Sequence, residues 1–251
     1  MKATRIALAL SVGLLSVWCI GCASHASLAS PAEMMAAGEL LADGQLTAAD
    51  AEIARLLGAT IRMKLPTTLA VAKLDRSFGG TAGLESISGE ELTQWADLVA
   101  EHKAIDGVQP IPDMLIANDA HRRAPLLGAL RLAAARMRSE MLLVYVRADS
   151  SVNNYNRAAA LYWTFVGLWI VPGNVVEHRT VMQGLLVHTR SGAVLATVTG
   201  SRDLKRYSPA AFASIAKDAL RDQAPKEAFT DLRKAFKSVL PAVIARRRDE
   251  G

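Results

Sequence analysis

The sequence predicts an α+β fold: a small mixed sheet with helices packed on its faces, an antiparallel C-terminal meander and an N-terminal helical arm. Three observations lead to this prediction. Up to about residue 148, apolar stripes with helical spacing alternate with short aliphatic runs typical of strands. Strand-like segments then follow one another directly, as in a meander. The rest of the chain returns to a helical pattern, which closes the domain.

The chain begins like a bacterial export signal. Lys2 and Arg5 precede an uncharged apolar run that starts at Ile6, and segments of this kind are removed before folding. The run ends with Gly21 before Cys22, which resembles the lipobox that lipoprotein signal peptidase cuts. We therefore expect residues 1–21 to be a lipoprotein signal peptide and Cys22 to carry the lipid, including palmitate, as a membrane anchor.

Two alternatives to lipidation stay open at this point. Cys19 stands where a lipobox usually carries an aliphatic residue, so the segment could instead remain as an uncleaved anchor helix or be cut by an ordinary signal peptidase near Ala26. After Cys22 come Ala23 and Ser24 rather than an aspartate. By enterobacterial sorting rules this favours the outer membrane, with the protein facing the periplasm.

Charge and cysteine content exclude several classes of partner. Loss of Lys2 and Arg5 lowers the formal charge from +5 to +3, which is too small an excess to predict binding of nucleic acid. The chain has two cysteines, one of which leaves with the signal while the other is lipidated. No thiol remains for a disulfide or a cysteine-based metal site, and we expect neither a metal nor a cofactor.

The mature chain is predicted to have two parts. Residues 22–65 should form a tether and a helical arm, in which Thr47 heads an amphipathic helix. Residues 66–251 should form the mixed α/β domain. Its first strand is predicted in TTLAVAKLD, and Ser88 with Glu91 predicts a capping box at the start of the next helix. A proline-marked edge strand, IDGVQPIPDMLI, follows.

A helix with Pro125 in its first turn is then expected to lead directly into a strand at 141–148. The polar residues of 147–156 predict a long loop after this strand. At the end of the domain, Ser208 and Pro209 predict a helix start, and Pro225 is expected to open or kink the closing helix.

Residues 158–176, AAALYWTFVGLWIVPGNVV, are uncharged and rich in aromatic side chains. The Pro-Gly-Asn at 172–174 favours a type II turn, so 161–171 is predicted to be a strand that pairs with the segment after the turn. Both faces of this strand are apolar, which is typical either of a buried central strand or of an exposed patch that docks a partner. The candidate partner-binding residues are Trp163, Phe165, Trp169 and, in the preceding polar run, Tyr155.

Candidates for chemistry are weak. GGTAG at 79–83 lacks the Lys-Ser/Thr ending of a phosphate loop, and neither HExxH nor GxSxG occurs. His178 and His188 lie about 30 Å apart along an extended strand, too far to share a metal. Glu177 and Asp203 could form an ion-paired sheet rim, or they could serve as acid and base in an envelope hydrolase that acts on peptidoglycan or another glycan. We assign no catalytic residue.

Residues 67–237 resemble a family of bacterial lipoproteins, the rhombotarget lipoproteins, through the Tyr-Trp-Thr at 162–164, the following glycine, the Thr-Val-Met at 180–182 and the order of elements. This chain has an added N-terminal helical region and lacks a Gly-Gly tail. The helix leading into Leu-Leu-Val-Tyr is more distantly similar to the periplasmic α/β domain of curli-secretion lipoproteins, of lipoprotein activators of peptidoglycan synthase and of the N-terminal domain of the Tol-system propeller protein. The resemblance implies a small mixed sheet with helices on its faces and a role in binding other envelope proteins. We therefore expect a non-enzymatic protein-binding or scaffold module with an envelope protein as partner.

Overall fold

The computed structural model describes residues 57–58, 63–75, 83–116 and 126–248. The predicted signal peptide, the lipidation site Cys22 and nearly all of the predicted helical arm lie outside these residues. Pro125 and most of the glycine-rich segment at 79–83 also lie outside them.

The elements alternate between strands and helices and then end in a meander and a long helix, which confirms the predicted α+β class. In chain order they are β1 (Thr67–Asp75), β2 (Gly83–Glu85), α1 (Gly89–Ala100), β3 (Ile105–Pro110), α2 (Leu126–Arg136), β4 (Met141–Tyr155), a 3-10 helix (Arg157–Trp163), α3 (Phe165–Ile170), β5 (Asn174–His188), β6 (Val194–Ser208), a 3-10 turn (Ala210–Phe212) and α4 (Ala213–Arg248).

The sheet is mixed, with strand order β2-β1-β4-β5-β6. Strand β3 pairs in parallel with the first part of β1, while β2 pairs antiparallel with its end. Strands β1 and β4 run parallel, and β4, β5 and β6 form the antiparallel meander. The pairing of β4 with β5 is continuous from Met141 opposite His188 to Tyr155 opposite Asn174. The two strands therefore form one long ribbon.

Helices cover the sheet on two sides, because successive strand residues point to opposite faces. On one face, α1 and α4 pack over β1, β4 and β5, and the ring of Trp95 lies 5.4 Å from both Phe229 and Phe236. On the other face, Leu130 and Ala133 of α2 pack against the alternate residues of β1 and β4. The sheet is thus shared by two large apolar cores, and a small third cluster of Val176, Ala216 and Leu220 lies under the start of α4.

The prediction of a strand at 161–171 is wrong. These residues form the end of the 3-10 helix and all of α3, because side chains cap both helices at their starts. The Asn156 side chain accepts a hydrogen bond from the backbone N–H of Ala158, and the Thr164 hydroxyl accepts one from Gly167. The turn expected at 172–174 does not reverse a hairpin, since residues 171–173 join α3 to β5. The first strand of the meander is β4.

The prediction of a long loop at 147–156 is also wrong, because β4 continues to Tyr155. Strand β1 ends at Asp75, opposite Arg147, so the rest of β4 has a paired neighbour on one side only, β5. Side chains from Ser150 to Tyr155 are exposed or half-buried. Polar residues are typical of a strand whose two faces are both exposed to solvent.

The closing helix differs from its prediction in two details. The 3-10 turn before α4 has Pro209 at its N-cap position and no side-chain cap, so Ser208 does not cap it. Pro225 neither opens nor ends the helix, since α4 continues through Pro225 and Pro241 to Arg248.

Candidate functional site

The ribbon of β4 and β5 ends in a group of exposed apolar side chains. Trp163 is 90% exposed and Phe165 78% exposed, in contrast to the buried strand that was one of the two interpretations of this segment. We call the following six side chains the aromatic tip: Leu161, Trp163, Phe165, Val166, Trp169 and Ile170. The tip brings three of the predicted partner-binding residues, Trp163, Phe165 and Trp169, into one surface.

Two buried glycines allow the backbone beneath the tip to pack closely. A Cβ atom on Gly167 would lie 2.0 Å from the carbonyl oxygen of Leu161, and one on Gly173 would lie 2.7 Å from the backbone of Ala159. The backbone N–H of Asn156 also donates to the carbonyl of Gly173. Because backbone atoms occupy the side of this segment that faces the domain, its large side chains point outward.

The fourth predicted residue, Tyr155, lies at the base of the tip. It is 56% exposed, and its ring packs edge-on against Tyr162 at 6.4 Å between centroids. The hydroxyl of Tyr162 in turn donates to the backbone carbonyl of Ser208, at the end of β6. These contacts attach the tip to both neighbouring strands of the meander.

The apolar surface continues onto the 3-10 turn before α4 and onto the first turn of α4, and sequence reasoning missed this extension. The ring of Trp169 packs edge-on against Phe212, with centroids 5.8 Å apart. Phe212 is 41% exposed, and Ile215 is 63% exposed. The spacing of Phe165, Val166, Trp169 and Ile170 fits one side of a helix and was a signal for a helical surface, but no local signal connects them to Phe212.

Charge near the tip is sparse and positive. No residue from Ala158 to Val176 carries a charge. Arg157 stands at the start of the 3-10 helix, and Arg206 lies opposite Val176 across the meander. Both arginines are exposed, whereas Glu177, the next residue after Val176, is paired with Lys205.

The carboxylates considered for hydrolysis form ion pairs across β5 and β6. Glu177 lies 2.8 Å from Lys205, and Asp203 accepts hydrogen bonds of 2.5 and 2.7 Å from Arg179. The hydrogen bond to Glu177 raises the pKa of Lys205, and the bonds to Asp203 raise the pKa of Arg179. Both pairs are of the sheet-rim type, and the cross-strand register fixes each carboxylate opposite a cation.

The two histidines of β5 are separate. His178 is buried beside Asp149, with 3.5 Å between Nε2 and a carboxylate oxygen, whereas His188 contacts Ser191 in the turn after β5. Within the described residues, no group of three or more histidine, cysteine or acidic side chains is arranged to hold a metal ion. Among the helices described, none has the length and apolar character required to cross a bilayer.

Comparison with known proteins gives similarities at the level of solved structures only. No protein-family model matches the chain, and no curated protein matches it. The PelC dodecamer from Paraburkholderia phytofirmans is 14% identical, with a TM-score of 0.34 over 71% of this chain and 92% of that chain. The lipoprotein GNA1162 from Neisseria meningitidis is 12% identical, with a TM-score of 0.31 over 63% and 97%. The LpoB C-terminal domain from Salmonella enterica is 12% identical, with a TM-score of 0.30 over 61% and 90%.

Proposed function

We propose that the protein is a lipid-anchored component of the bacterial envelope that acts as a non-enzymatic protein-binding module. In this proposal residues 1–21 are removed, Cys22 carries the lipid, 22–65 form the tether and helical arm, and 66–251 form the binding domain in the periplasm. The single observation that carries the proposal is the aromatic tip, whose six large apolar side chains are exposed together at one end of the domain.

Exposure of this kind favours a protein partner. Burial of apolar surface contributes about 25 cal/mol per Å² to the free energy of binding. A partner that covers both tryptophans and Phe165 would therefore be bound with a large favourable contribution. Soluble monomers rarely expose large contiguous apolar patches unless the patch binds something. Tryptophan is also enriched among the residues that dominate protein interfaces.

The shape of the tip indicates how it docks. The tip stands at the end of a ribbon with fifteen paired positions, so it is presented on a regular element rather than on a loop. Short helices with neighbouring apolar side chains typically bind by inserting into a groove. We therefore propose an apolar groove on another envelope protein as the binding site for Trp163, Phe165 and Trp169, with Tyr155 at its edge.

The same geometry supports binding rather than hydrolysis. A glycan hydrolase needs two carboxyl groups about 5–10 Å apart that face each other across the substrate. Glu177 and Asp203 lie on neighbouring strands, and each faces a cation. The tip itself contains no acidic side chain, histidine or cysteine.

The docking role is tested by crosslinking in living cells. A photoreactive phenylalanine analogue replaces Trp163, and irradiation should yield a discrete protein adduct. Trp169→Asp in the same chain should abolish that adduct, because a charge would have to be buried in the groove. Leu132→Asp is the matched control, since Leu132 is 45% exposed on α2, away from the tip. Lipid adducts without a protein adduct, or equal adducts in the Trp169→Asp chain, would show that the tip does not dock a protein.

The anchor is tested separately by labelling cells with an alkyne fatty acid. The wild type should incorporate the label, and Cys22→Ser should lose it. A label that persists in Cys22→Ser, or is absent from the wild type, contradicts the lipid anchor without affecting the docking proposal.

A further inference from the structure

A second candidate site lies at the opposite end of the sheet from the aromatic tip. Here a cavity of about 690 Å³ opens where β1 begins, α2 ends and β5 turns into β6. Its lining includes the charged residues Lys64, Asp106, Arg138, Glu140 and Arg190, together with Thr189. A cavity of this size accommodates a small ligand.

The backbone of Arg138 is unusual, because its φ of 58° lies in the left-handed region. The residue ends α2 in the turn that commonly carries glycine: its N–H donates to Ala135, and the N–H of Ser139 donates to Ala134. Glycine would adopt this conformation without strain. An arginine at this position makes the fold less stable than a glycine would, and its exposed side chain lies at the cavity. Strained non-glycine residues of this kind cluster at binding sites.

A buried hydroxyl group in the same cavity has no hydrogen-bond partner. Thr189 is 6% exposed, and its Oγ1 is unpaired within the described part of the chain. The position of the residue is fixed, because its N–H donates to the carbonyl of Glu140 and its carbonyl accepts from Arg131. Buried polar groups are nearly always hydrogen-bonded, so this hydroxyl lacks a partner that a ligand at the cavity wall can supply.

The cavity contains both positive and negative side chains that are not used in ion pairs among the described residues. Glu140 is engaged, because its carboxylate accepts a 2.6 Å hydrogen bond from the backbone of Lys64 and lies 3.9 Å from Arg190. The side chains of Lys64, Arg138 and Asp106 form no ion pair with other described residues. The site therefore presents two cations and one carboxylate to a ligand.

We propose that this cavity binds a small zwitterion, namely an amino acid or a short peptide with free ends. Arg138 holds the ligand carboxylate through paired hydrogen bonds, with Lys64 adding positive charge. Asp106 binds the ammonium group, and the hydroxyl of Thr189 completes the polar contacts. Inorganic phosphate fits less well, because the carboxylate of Asp106 repels the negative charge of the phosphate. This site is independent of the docking proposed for the aromatic tip.

Calorimetric titration of the full-length protein in detergent with alanylalanine tests the proposal. The wild type should bind, and capping either end of the dipeptide should weaken binding, because each cap removes one charge. Arg138→Gly should raise the melting temperature by a few degrees and weaken binding about tenfold or more. Asp106→Asn should weaken binding similarly. Lys226→Ala, on the exposed side of α4, is the control that should change neither quantity.

Several results would overturn the assignment. Undetectable binding of alanylalanine by the folded wild type, or equal affinity in Arg138→Gly, would remove the site. Equal affinity of the capped dipeptides, or tighter binding of inorganic phosphate, would show that the ligand is not a zwitterion. Because Arg138→Gly relieves backbone strain, a loss of binding in that variant does not reflect unfolding, and its melting temperature verifies this directly.

Discussion

Individual charged residues buried on the face covered by α1 and α4 connect neighbouring elements. Lys73 of β1 is 5% exposed, and its Nζ lies 3.0 Å from the carboxylates of both Glu85 in β2 and Glu91 in α1. The half-buried Arg147 of β4 lies 3.9 Å from Glu85 of β2 and 3.1 Å from Asp149 of its own strand. Buried ion pairs recover their desolvation cost only with good geometry. The pairs of Lys73 therefore depend on the register between β1 and β2 and on the position of α1.

Asp149 gives a prediction about acid stability. Burial raises the pKa of its carboxyl group, but the contact with His178, the hydrogen bond from Thr180 and the charge of Arg147 together lower it by more, so the net pKa is reduced. A carboxyl group with a lowered pKa in the folded state stabilises the protein above its unfolded pKa of about 3.9, and this contribution disappears as the pH falls. Thr180→Val should therefore reduce stability at pH 7 and flatten its decrease on acidification.

The measurement is the free energy of unfolding in urea at pH 7 and at several values between about pH 5 and pH 3. Thr230→Val is the matched control, since the hydroxyl of Thr230 bonds only to a backbone carbonyl within α4. A decrease with acid as steep in Thr180→Val as in the wild type would contradict the role of this 2.5 Å hydrogen bond.

At the scale of elements, the sequence predicts best those that bury one face. Strand β1 was recognised from its aliphatic residues, and its side chains from Leu69 to Leu74 are buried. Helix α1 was recognised from its capping box, and both reciprocal bonds between Ser88 and Glu91 are present. In these elements burial, period and capping all favour the same structure.

In the ribbon and the segment that joins its strands, polar residues form a strand and apolar residues form an exposed helix. The predictions from the sequence were wrong for both. The second half of β4 is polar because it is exposed, whereas α3 is apolar although it is exposed. Aromatic and β-branched residues favour strands, but the caps at Asn156 and Thr164 and the close packing at Gly167 determine a helix. The candidate residues Trp163, Phe165 and Trp169 were identifiable from composition. Phe212 was not, because only the tertiary fold brings the 3-10 turn before α4 beside them.

The contact between α4 and β6 yields a prediction at this scale. A Cβ atom on Gly200 of β6 would lie 2.2 Å from the carbonyl oxygen of Ala228 and 2.4 Å from the backbone nitrogen of Leu232. Gly200→Ala must therefore displace α4, and we expect a loss of about 3 kcal/mol or more in the free energy of unfolding, the upper part of the range for overpacking.

Gly184 of β5 is the matched comparison for this effect. A Cβ atom there would approach only side chains, the nearest being Val198 at 2.9 Å, and these can adjust. Gly184→Ala should cost less than Gly200→Ala in the same urea titration. Equal losses of unfolding free energy for the two variants would mean that the backbone of α4 is displaced as easily as a side chain.

For the whole molecule, the central feature is a single sheet that serves two cores. Adjacent residues of β4 belong to different cores: Leu143 packs with the residues under α1 and α4, and Leu142 packs with those under α2. Because the same strands contribute side chains to both cores, loss of the strand pairing disrupts both cores together. The domain should therefore unfold as one cooperative unit even though its helices lie on opposite faces.

One truncation in each core tests this cooperativity. Leu232 and Leu130 are both fully buried, one in each core, and replacement of either by alanine should cost about 2–5 kcal/mol. Leu132→Ala, on the exposed side of α2, should cost less than about 0.5 kcal/mol. Hydrogen exchange followed by mass spectrometry at increasing urea should show α2 and α4 losing protection at the same concentration in each variant. If Leu130→Ala releases α2 while α4 remains protected, the sheet does not couple the two cores, and the face covered by α2 is a separate unit of stability.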